Sequence, residues 1–159
     1  MFNTNINYLV MDVDGTLTDG KIYMGNSGEA MKAFDVKDGY AIHYLLPDNN
    51  IVPVIITGRR SNIVENRCRE IGVTEVHQGV SNKLNELLLI TKELSSVAYI
   101  GDDISDLPIM EAVKRAGGTV GAPHNAVKRV LDMADYTSPH DGGDGAVRDF
   151  IEWIIGGER

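Results

Sequence analysis

The chain has 159 residues, enough for one compact domain whose folding should bury roughly two-thirds of the extended-chain surface. Apolar residues make up 43% of the chain and charged residues 24%, a composition that is ordinary for a soluble globular protein. The net charge of -8 argues against a nucleic-acid partner, since that binding depends on clustered positive charge. It leaves open a small phosphorylated ligand, because a few local cations can dominate the field of a cleft.

The sequence also indicates a cellular location. The only cysteine, Cys68, excludes an internal disulfide and fits a reducing compartment, and its place in a helical pattern predicts a packing role. Residues 1–5 contain no basic region leading into an apolar run, so no signal peptide is expected. No apolar run approaches the ~20 residues of a membrane span. We therefore expect a cytoplasmic protein with no membrane partner.

Short apolar runs alternate along the chain with stretches of helical periodicity. Strands are predicted over 8–11, 51–56, 75–77 and 96–100, and helices over 38–46, 61–71, 81–94, 105–116 and 125–134. Asp38 is the expected cap of the first helix. This alternation predicts an α/β fold, a doubly wound parallel sheet with helices on both faces. In such sheets a ligand binds beyond the carboxyl ends of the strands, which is where the polar clusters fall.

Residues 21–34 break this alternation. Apolar runs at 22–24 and 30–34 flank the sequence Gly-Asn-Ser-Gly at 25–28, which predicts a β-hairpin with a four-residue turn, inserted after strand 1. A hairpin of two strands is marginal alone, so its large apolar side chains must pack on something. The sequence contains no repeat, low-complexity tract or linker, so 1–159 is predicted to be a single domain, with the hairpin at about 20–35.

The first acidic cluster is Asp-Val-Asp-Gly-Thr at 12–16, directly after a buried strand. Gly15 lets the chain turn there, so that Asp12 and Asp14 can reach one pocket instead of opposite faces of a strand. A carboxylate is a competent nucleophile toward phosphorus. A second carboxylate can protonate the leaving oxygen and later deprotonate the attacking water. The alternative is a polar turn with a capping aspartate, since two aspartates at this spacing often occur by chance.

A second acidic cluster follows the last predicted strand. Magnesium binds oxygen ligands, and Asp12, a backbone carbonyl near Asp14, and Asp102 would supply them together with substrate phosphate. Asp106, about one helical turn beyond Asp102, would orient a metal-bound water or Lys83. Helix capping is the alternative, but it explains one carboxylate and not all of them. So many carboxylates in one cleft would repel one another, and a divalent cation would relieve that repulsion.

Two further residues are candidates for binding a phosphoryl group. Thr57 ends the strand 51–56 and offers a hydroxyl group. Lys83 lies near the start of the helix 81–94, where the helix dipole disfavours a cation unless an anionic partner offsets it. Each is weak alone, because threonines at strand ends and surface lysines are both common.

In their order, these motifs resemble those of the haloacid dehalogenase-like (HAD) phosphatase superfamily. The matching positions are residues 12–16, Thr57, Lys83 and residues 101–103 with Asp106. The resemblance implies a HAD-like Rossmannoid fold and in-line attack by Asp12 on a phosphate monoester. It also implies acid–base catalysis by Asp14, a magnesium cofactor, and stabilisation of the transferring group by Thr57 and Lys83.

The sequence departs from most of that superfamily in having no room for a cap domain after the first or second motif. An uncapped site would be open to water, so neighbouring subunits are expected to cover it through the hairpin. This arrangement is similar to the capless, tetrameric 3-deoxy-D-manno-octulosonate 8-phosphate (KDO 8-phosphate) phosphatases, which act in lipopolysaccharide biosynthesis. The likeness is carried by residues 57–60, 64–68, 78–84, 98–103 and 142–148. It implies a homotetramer.

The same resemblance points to the substrate. Relatives that act on nine-carbon sialic-type (nonulosonate) 9-phosphates tend to have glutamate at the position of Arg59, so the eight-carbon substrate is favoured and the nine-carbon one is the alternative. Arg59 can hold a sugar-acid carboxylate bidentately beside Gly58, and Arg67 lies two helical turns further on. Otherwise both arginines belong to a solvated helix face, where Arg60 and Arg69 are placed.

Hypotheses from other classes remain. A phosphorylation-dependent receiver domain also has a doubly wound sheet and an acidic magnesium site, but it would not need Asp14 as an acid. A non-catalytic scaffold is the third hypothesis. The four histidines have no metal-ligand spacing and are given no catalytic role. In the resembled family the C-terminal segment reaches a neighbouring site, and here the segment after the last helix is short, 156–159.

Overall fold

The computed structural model describes residues 5–156. The expectations about a signal peptide at residues 1–5 and about the tail at residues 156–159 fall almost wholly on residues 1–4 and 157–159, which lie outside the described residues.

The described chain folds into eight strands and seven helices. The strands are β1 (Tyr8–Met11), β2 (Tyr23–Gly25), β3 (Gly28–Met31), β4 (Val52–Ile56), β5 (Glu75–His77), β6 (Val97–Ile100), β7 (Thr119–Ala122) and β8 (Tyr136–Thr137). The helices are α1 (Val36–Tyr40), α2 (Leu46–Asp48), α3 (Asn62–Glu70), α4 (Lys83–Ile90), α5 (Leu107–Arg115), α6 (Lys128–Met133) and α7 (Ala146–Ile154). A π-helical turn, Ala41–Leu45, joins α1 to α2.

Six of the strands form one parallel sheet in the order β5-β4-β1-β6-β7-β8. Leu9 and Met11 of β1 face one apolar cluster, and Val10 between them faces the other. Because helices cover both faces, the strands are apolar without alternation. The predicted doubly wound α/β fold is confirmed, and no cap domain is evident within residues 5–156. The chain passes from β1 to β4 and β5 on one side and then crosses to β6 on the other side of β1, so the strand order reverses at β1 and the crevice at its carboxyl end is the expected ligand site.

The first helix begins earlier than predicted. Its N-cap is Asp35, whose carboxylate accepts hydrogen bonds from the backbone N–H groups of Lys37 and Asp38. Asp38, the predicted cap, is instead buried, and its Oδ1 accepts a hydrogen bond from the backbone N–H of Arg148 at 2.8 Å. The prediction was wrong because two aspartates three residues apart are equally good caps locally, and a contact with α7 decides between them.

The other predicted helices are present but shorter than expected, as in α4, which ends at Ile90 and not at residue 94. The strands β7 and β8 were not predicted. Cys68 is buried, as its pattern indicated.

The hairpin is formed by β2 and β3. The predicted turn over residues 25–28 is present, because Gly25 pairs with Gly28 and the two residues between them, Asn26 and Ser27, form the loop that joins the strands. Gly28 has a φ of 115°, which residues with a side chain rarely adopt. This conformation lets Gly28 pair with Gly25 directly beside the turn. Apolar side chains of the hairpin, including Met24 at 67% and Met31 at 59%, are exposed.

Among the helices of the described chain, none combines the length and the apolar character that crossing a bilayer requires.

Candidate active site

Three neighbouring strands deliver the predicted site residues to one edge of the sheet. Asp12 follows β1, Thr57 follows β4 and Asp102 lies two residues beyond β6. Because these strands are parallel and adjacent, their carboxyl ends meet. The backbone N–H of Asp12 donates to the carbonyl of Ile100 at 3.1 Å, which extends the β1–β6 pairing up to the site.

The centre of the site is a cluster of three carboxylates. One oxygen from each of Asp12, Asp102 and Asp106 lies within 4.8 Å of the others. Burial, and then the charge of Asp106, raise the pKa of Asp12 to about 6. Burial, and then the charges of Asp12 and Asp106, raise the pKa of Asp102 to about 8. These oxygens fit a hard divalent cation such as Mg²⁺, which would relieve the repulsion that the raised pKa values reflect.

Lys83 contacts the same cluster. Its Nζ lies 2.6 Å from Oδ1 of Asp106 and 3.0 Å from Oδ1 of Asp12, and the side chain is 7% exposed. Burial works to lower the pKa of Lys83, but the charges of Asp12 and Asp106 outweigh it and the pKa is raised. The two carboxylates therefore explain a lysine at the first residue of α4, where the dipole alone disfavours a cation.

Asp106 is fully buried, and both of its oxygens are occupied. Oδ1 accepts from Lys83 at 2.6 Å and from the Tyr99 hydroxyl at 2.5 Å. Oδ2 accepts from the backbone N–H groups of Asp102 and Asp103, at 2.9 and 3.0 Å. Asp106 thus holds the loop after β6 and the ammonium of Lys83. Sequence reasoning missed Tyr99, whose only signal is a phenol group within an aliphatic strand.

The loop of residues 12–16 fits tightly against Asp102. Thr16 donates its hydroxyl hydrogen to Oδ1 of Asp102 at 3.0 Å. A Cβ added to Gly15 would lie 2.0 Å from Oδ2 of Asp102, and one added to Gly142 would lie 1.9 Å from the carbonyl oxygen of Gly15. Gly15 also has a φ of 88°. Only glycine allows these three segments to approach so closely.

Asp14 lies outside the carboxylate cluster. Its Oδ1 is 2.5 Å from Nζ of Lys32, whose side chain is 1% exposed. Lys32 follows β3 in the hairpin, and its Nζ is also 3.0 Å from Oε2 of Glu29. The hairpin therefore contacts the site of its own chain. The sequence offers no local signal for this, since Lys32 and Glu29 are ordinary charged residues of a predicted hairpin.

Site residues line a cleft of about 210 Å³ at the carboxyl edge of the sheet. Its lining includes Asp12, Asp14, Thr57, Gly58, Arg59, Lys83 and Asp103. A larger groove, about 960 Å³, lies beside β5 and contains none of the predicted site residues. The smaller cleft is the better candidate, because buried carboxylates and a buried lysine converge on it.

The two arginines predicted to bind substrate are placed differently. Arg59 is at the cleft, where Nη2 lies 3.2 Å from Oε2 of Glu29 and the side chain is 48% exposed. Arg67 is not among the residues that line the cleft. Its guanidinium pairs with Glu70 at 3.0 Å and lies 5.7 Å from the ring centroid of Phe34.

Comparison with known proteins gives a consistent picture, although no family model matches the chain. The chain is 44% identical over 155 residues to the 3-deoxy-D-manno-octulosonate 8-phosphate phosphatase KdsC of Escherichia coli (strain K12), covering 95% of this chain and 80% of that protein.

Solved structures agree with this. The 3-deoxy-D-manno-octulosonate 8-phosphate phosphatase of Moraxella catarrhalis, in complex with magnesium ion, phosphate ion and KDO, is 38% identical with a TM-score of 0.89, over 97% of this chain and 88% of that one. The cobalt-bound enzyme of Haemophilus influenzae is 33% identical with a TM-score of 0.89, over 97% and 90% of the two chains.

Proposed function

We propose that this chain, which belongs to the 3-deoxy-D-manno-octulosonate 8-phosphate phosphatase family of the HAD superfamily, acts through a phosphoryl group carried on Asp12. It is a magnesium-dependent phosphatase of that sugar-acid phosphate. The observation that carries this proposal is the buried Asp12 carboxylate, 3.0 Å from Nζ of Lys83 and grouped with Asp102 and Asp106 at the cleft.

The proposed reaction has two displacements. In the first, a carboxylate oxygen of Asp12 forms a bond to phosphorus while the ester bond breaks, and Asp14 gives a proton to the departing sugar oxygen. In the second, Asp14 takes a proton from a water molecule that attacks the same phosphorus. The bond between Asp12 and phosphorus then breaks, which releases inorganic phosphate and restores both carboxyl groups. Asp14 lines the cleft beside Asp12, as these roles require.

Magnesium, when bound, would neutralise the charge that develops on the phosphoryl oxygens. We assign its protein ligands to Asp12, Asp102 and the backbone carbonyl near Asp14. Asp106 has a different proposed role, since four hydrogen-bond donors already occupy its two oxygens. It positions Lys83 and the loop that carries Asp102.

The remaining contacts follow from the cleft lining. We assign Thr57 and Gly58, which line the cleft, to the transferring phosphoryl group together with the ammonium of Lys83. Arg59 is assigned to the sugar-acid carboxylate, which a guanidinium binds bidentately. The predicted contact of Arg67 with substrate is left out of this assignment, because its guanidinium is held by Glu70 and by the carbonyl of Asp35.

We propose that the protein is a homotetramer assembled through the hairpin. Exposed apolar side chains on the hairpin, at Ile22, Met24 and Met31, support this, since patches of this kind mark interaction surfaces. Neighbouring subunits would then cover a cleft that has no cap of its own. Sedimentation at micromolar protein tests the assembly, and a monomer at that concentration would rule it out.

A cytoplasmic location is proposed because a reducing compartment suits the buried, unpaired Cys68. We also propose that residues 1–159 form one hydrolase domain.

The substrate is tested by a side-by-side assay of KDO 8-phosphate and a nine-carbon nonulosonate 9-phosphate, each with and without magnesium. We expect steady release of inorganic phosphate that requires magnesium, with the higher kcat/KM on the eight-carbon substrate. Preference for the nine-carbon substrate would overturn the assignment of Arg59. A single burst of phosphorylation without turnover would instead indicate a receiver domain.

The nucleophile is tested by Asp12→Asn. Turnover should be abolished in a protein whose circular dichroism and melting curve stay close to wild type, because the amide cannot attack phosphorus. Asp132→Asn is a suitable control, since Asp132 is exposed on α6 and is paired with Lys128. Retained activity in Asp12→Asn would refute the nucleophile assignment.

A further inference from the structure

The side chain of Lys32 is buried, and burying a lysine side chain is costly. The side chain is 1% exposed, although lysines are almost never fully buried unless paired. Its Nζ lies between two carboxylates, 2.5 Å from Asp14 and 3.0 Å from Glu29. These two charges offset the loss of hydration, so the lysine depends on them and in turn fixes their positions.

Glu29 holds this lysine in place from the outer side. One of its oxygens accepts from Lys32 at 3.0 Å and from Nη2 of Arg59 at 3.2 Å, and the other accepts from the hydroxyl of Ser61 at 2.8 Å. Three donors from the hairpin, the loop after β4 and the start of α3 therefore meet on one carboxylate. This contact fastens the hairpin to the wall of the cleft.

Asp14 has much less support from its own loop. Its side chain is 21% exposed, and Lys32 provides the side-chain hydrogen bond and ion pair that the structure gives it within residues 5–156. A carboxylate at the mouth of a cleft can adopt several rotamers in water. An acid that protonates a departing oxygen must instead be within hydrogen-bond reach of that oxygen in the productive complex.

We propose that Lys32 is a positioning residue for Asp14, held by Glu29, so that the hairpin fixes the carboxylate that exchanges protons with the sugar oxygen and with water. This inference rests on the proposed function of Asp14. Lys32 touches neither phosphorus nor the sugar, and it acts through the orientation of Asp14. Its contribution is therefore to kcat and not to substrate binding.

The first test compares Lys32→Met with wild type on two substrates. Methionine keeps the length of the side chain and removes its charge and hydrogen bonds. On KDO 8-phosphate, kcat should fall about 10- to 100-fold with KM changed by less than about 3-fold. On 4-nitrophenyl phosphate the first step, measured in single turnovers, should be slowed less than on KDO 8-phosphate, because that phenolate leaves with little help from an acid.

A control separates this effect from the loss of any surface ion pair. Lys37→Met removes an exposed lysine that is paired with Asp35 at 3.4 Å, and it should leave both activities at wild-type values. A double variant tests whether Lys32 acts through Asp14. If Lys32 acts through Asp14, Lys32→Met should cost little further activity in a protein that already carries Asp14→Asn.

Two outcomes would overturn the inference: a folded Lys32→Met protein with wild-type kcat, or a first step that is slowed equally on both substrates. If Lys32→Met does not fold, Glu29→Gln decides, since it keeps Lys32 and removes the charge that faces both Lys32 and Arg59. An effect through Arg59 should change KM, whereas an effect through Lys32 should slow the first step several-fold on KDO 8-phosphate and less on 4-nitrophenyl phosphate; a first step at the wild-type rate would overturn the inference. A wild-type protein that releases no phosphate from the sugar phosphate would instead refute the proposed function itself.

Discussion

The two aspartates of the first loop divide into different surroundings although they are two residues apart. Asp12 is buried against Lys83 and the carboxylate cluster, whereas Asp14 is partly exposed and paired with Lys32. Gly15 makes this possible by turning the chain directly after them, with a φ of 88°. In the proposed mechanism, Asp12 attacks phosphorus and Asp14 exchanges protons with groups in the open cleft.

Asp14→Asn should slow turnover by about 10²- to 10⁴-fold, the usual contribution of a general acid and base. With 4-nitrophenyl phosphate, whose leaving group needs little help from an acid, hydrolysis of the intermediate should suffer more than its formation, so phosphorylated Asp12 is expected to accumulate. Intact-protein mass spectrometry after rapid quenching would detect the added phosphoryl group. Asp132→Asn should show neither effect, and full activity in Asp14→Asn would remove Asp14 from the proposed mechanism.

Asp38 makes a separate prediction about stability. Burial raises its pKa from 3.8 to about 7, and its Oδ2 is buried with no hydrogen-bond partner among residues 5–156. Between these two values the folded protein holds a proton that the unfolded chain has lost, so stability should fall as pH rises through this window. The loss is at most about 4 kcal/mol.

Asp38→Asn removes this titration, so its melting temperature should change less than that of wild type between about pH 5 and about pH 8. Its Oδ1 can still accept from the backbone N–H of Arg148. Thermal unfolding at several pH values measures the difference, with the exposed Asp48→Asn as control. Parallel curves for wild type and Asp38→Asn would show that Asp38 is not the titrating group.

The residues that sequence reasoning located are those within a local motif. Asp12, Thr57 and Asp102 each follow an apolar run, and parallel strands bring such positions together without any knowledge of side-chain contacts. Lys32 and Tyr99 were not found, because their roles depend on tertiary contacts. Lys32 reaches Asp14 from the hairpin, and Tyr99 reaches Asp106 from β6. Arg67 was predicted from helical spacing to reach the substrate, but its guanidinium pairs with Glu70 and does not line the cleft. Helical spacing alone does not show which neighbours a side chain will contact.

At the scale of elements, the strands and helices around the site were predictable, and those at the far edge were not. The buried runs of β1, β4 and β6 are continuous and apolar, whereas β8 has two residues and β7 contains a glycine. The π-helical turn between α1 and α2 has no local sequence signal. Edge strands and helix irregularities are set by tertiary contacts that periodicity does not contain.

The loop before α7 should be intolerant of side chains where it meets the loop after β1. Gly142→Ala would place a Cβ 1.9 Å from the carbonyl oxygen of Gly15, so one of the two loops must move. We expect lower activity together with a loss of roughly 1–3 kcal/mol in unfolding free energy, as in other overpacked sites. Denaturant unfolding and phosphate release measure these two effects.

Gly25→Ala is the matched control for stability, because its added Cβ meets nothing closer than 3.4 Å. Its unfolding free energy should remain near that of wild type. A Gly142→Ala protein with wild-type stability and rate would mean that the two loops are free to separate.

For the whole molecule, the carboxylate cluster links cation binding to stability. A ligand that binds the folded state alone stabilises it by mass action, about 2.7 kcal/mol at a concentration of 100 times its Kd. Magnesium at such a concentration should raise the melting temperature by roughly 5–10 °C. Asp102→Asn should largely remove this shift, whereas Asp132→Asn should keep it. A shift that is unchanged in Asp102→Asn would place the cation elsewhere.

The hairpin presents Glu29 and Lys32 to the cleft and Met24 and Met31 to solvent. Contacts between subunits that restrict the motion of the hairpin should therefore also restrict the Asp14 side chain. If the subunits associate through the hairpin as proposed, the association would raise the turnover of each active site. Dilution then becomes a kinetic variable: below the concentration at which subunits part, turnover per molecule should decline before any unfolding is seen. A stopped assay over a thousandfold range of enzyme would make that coupling visible.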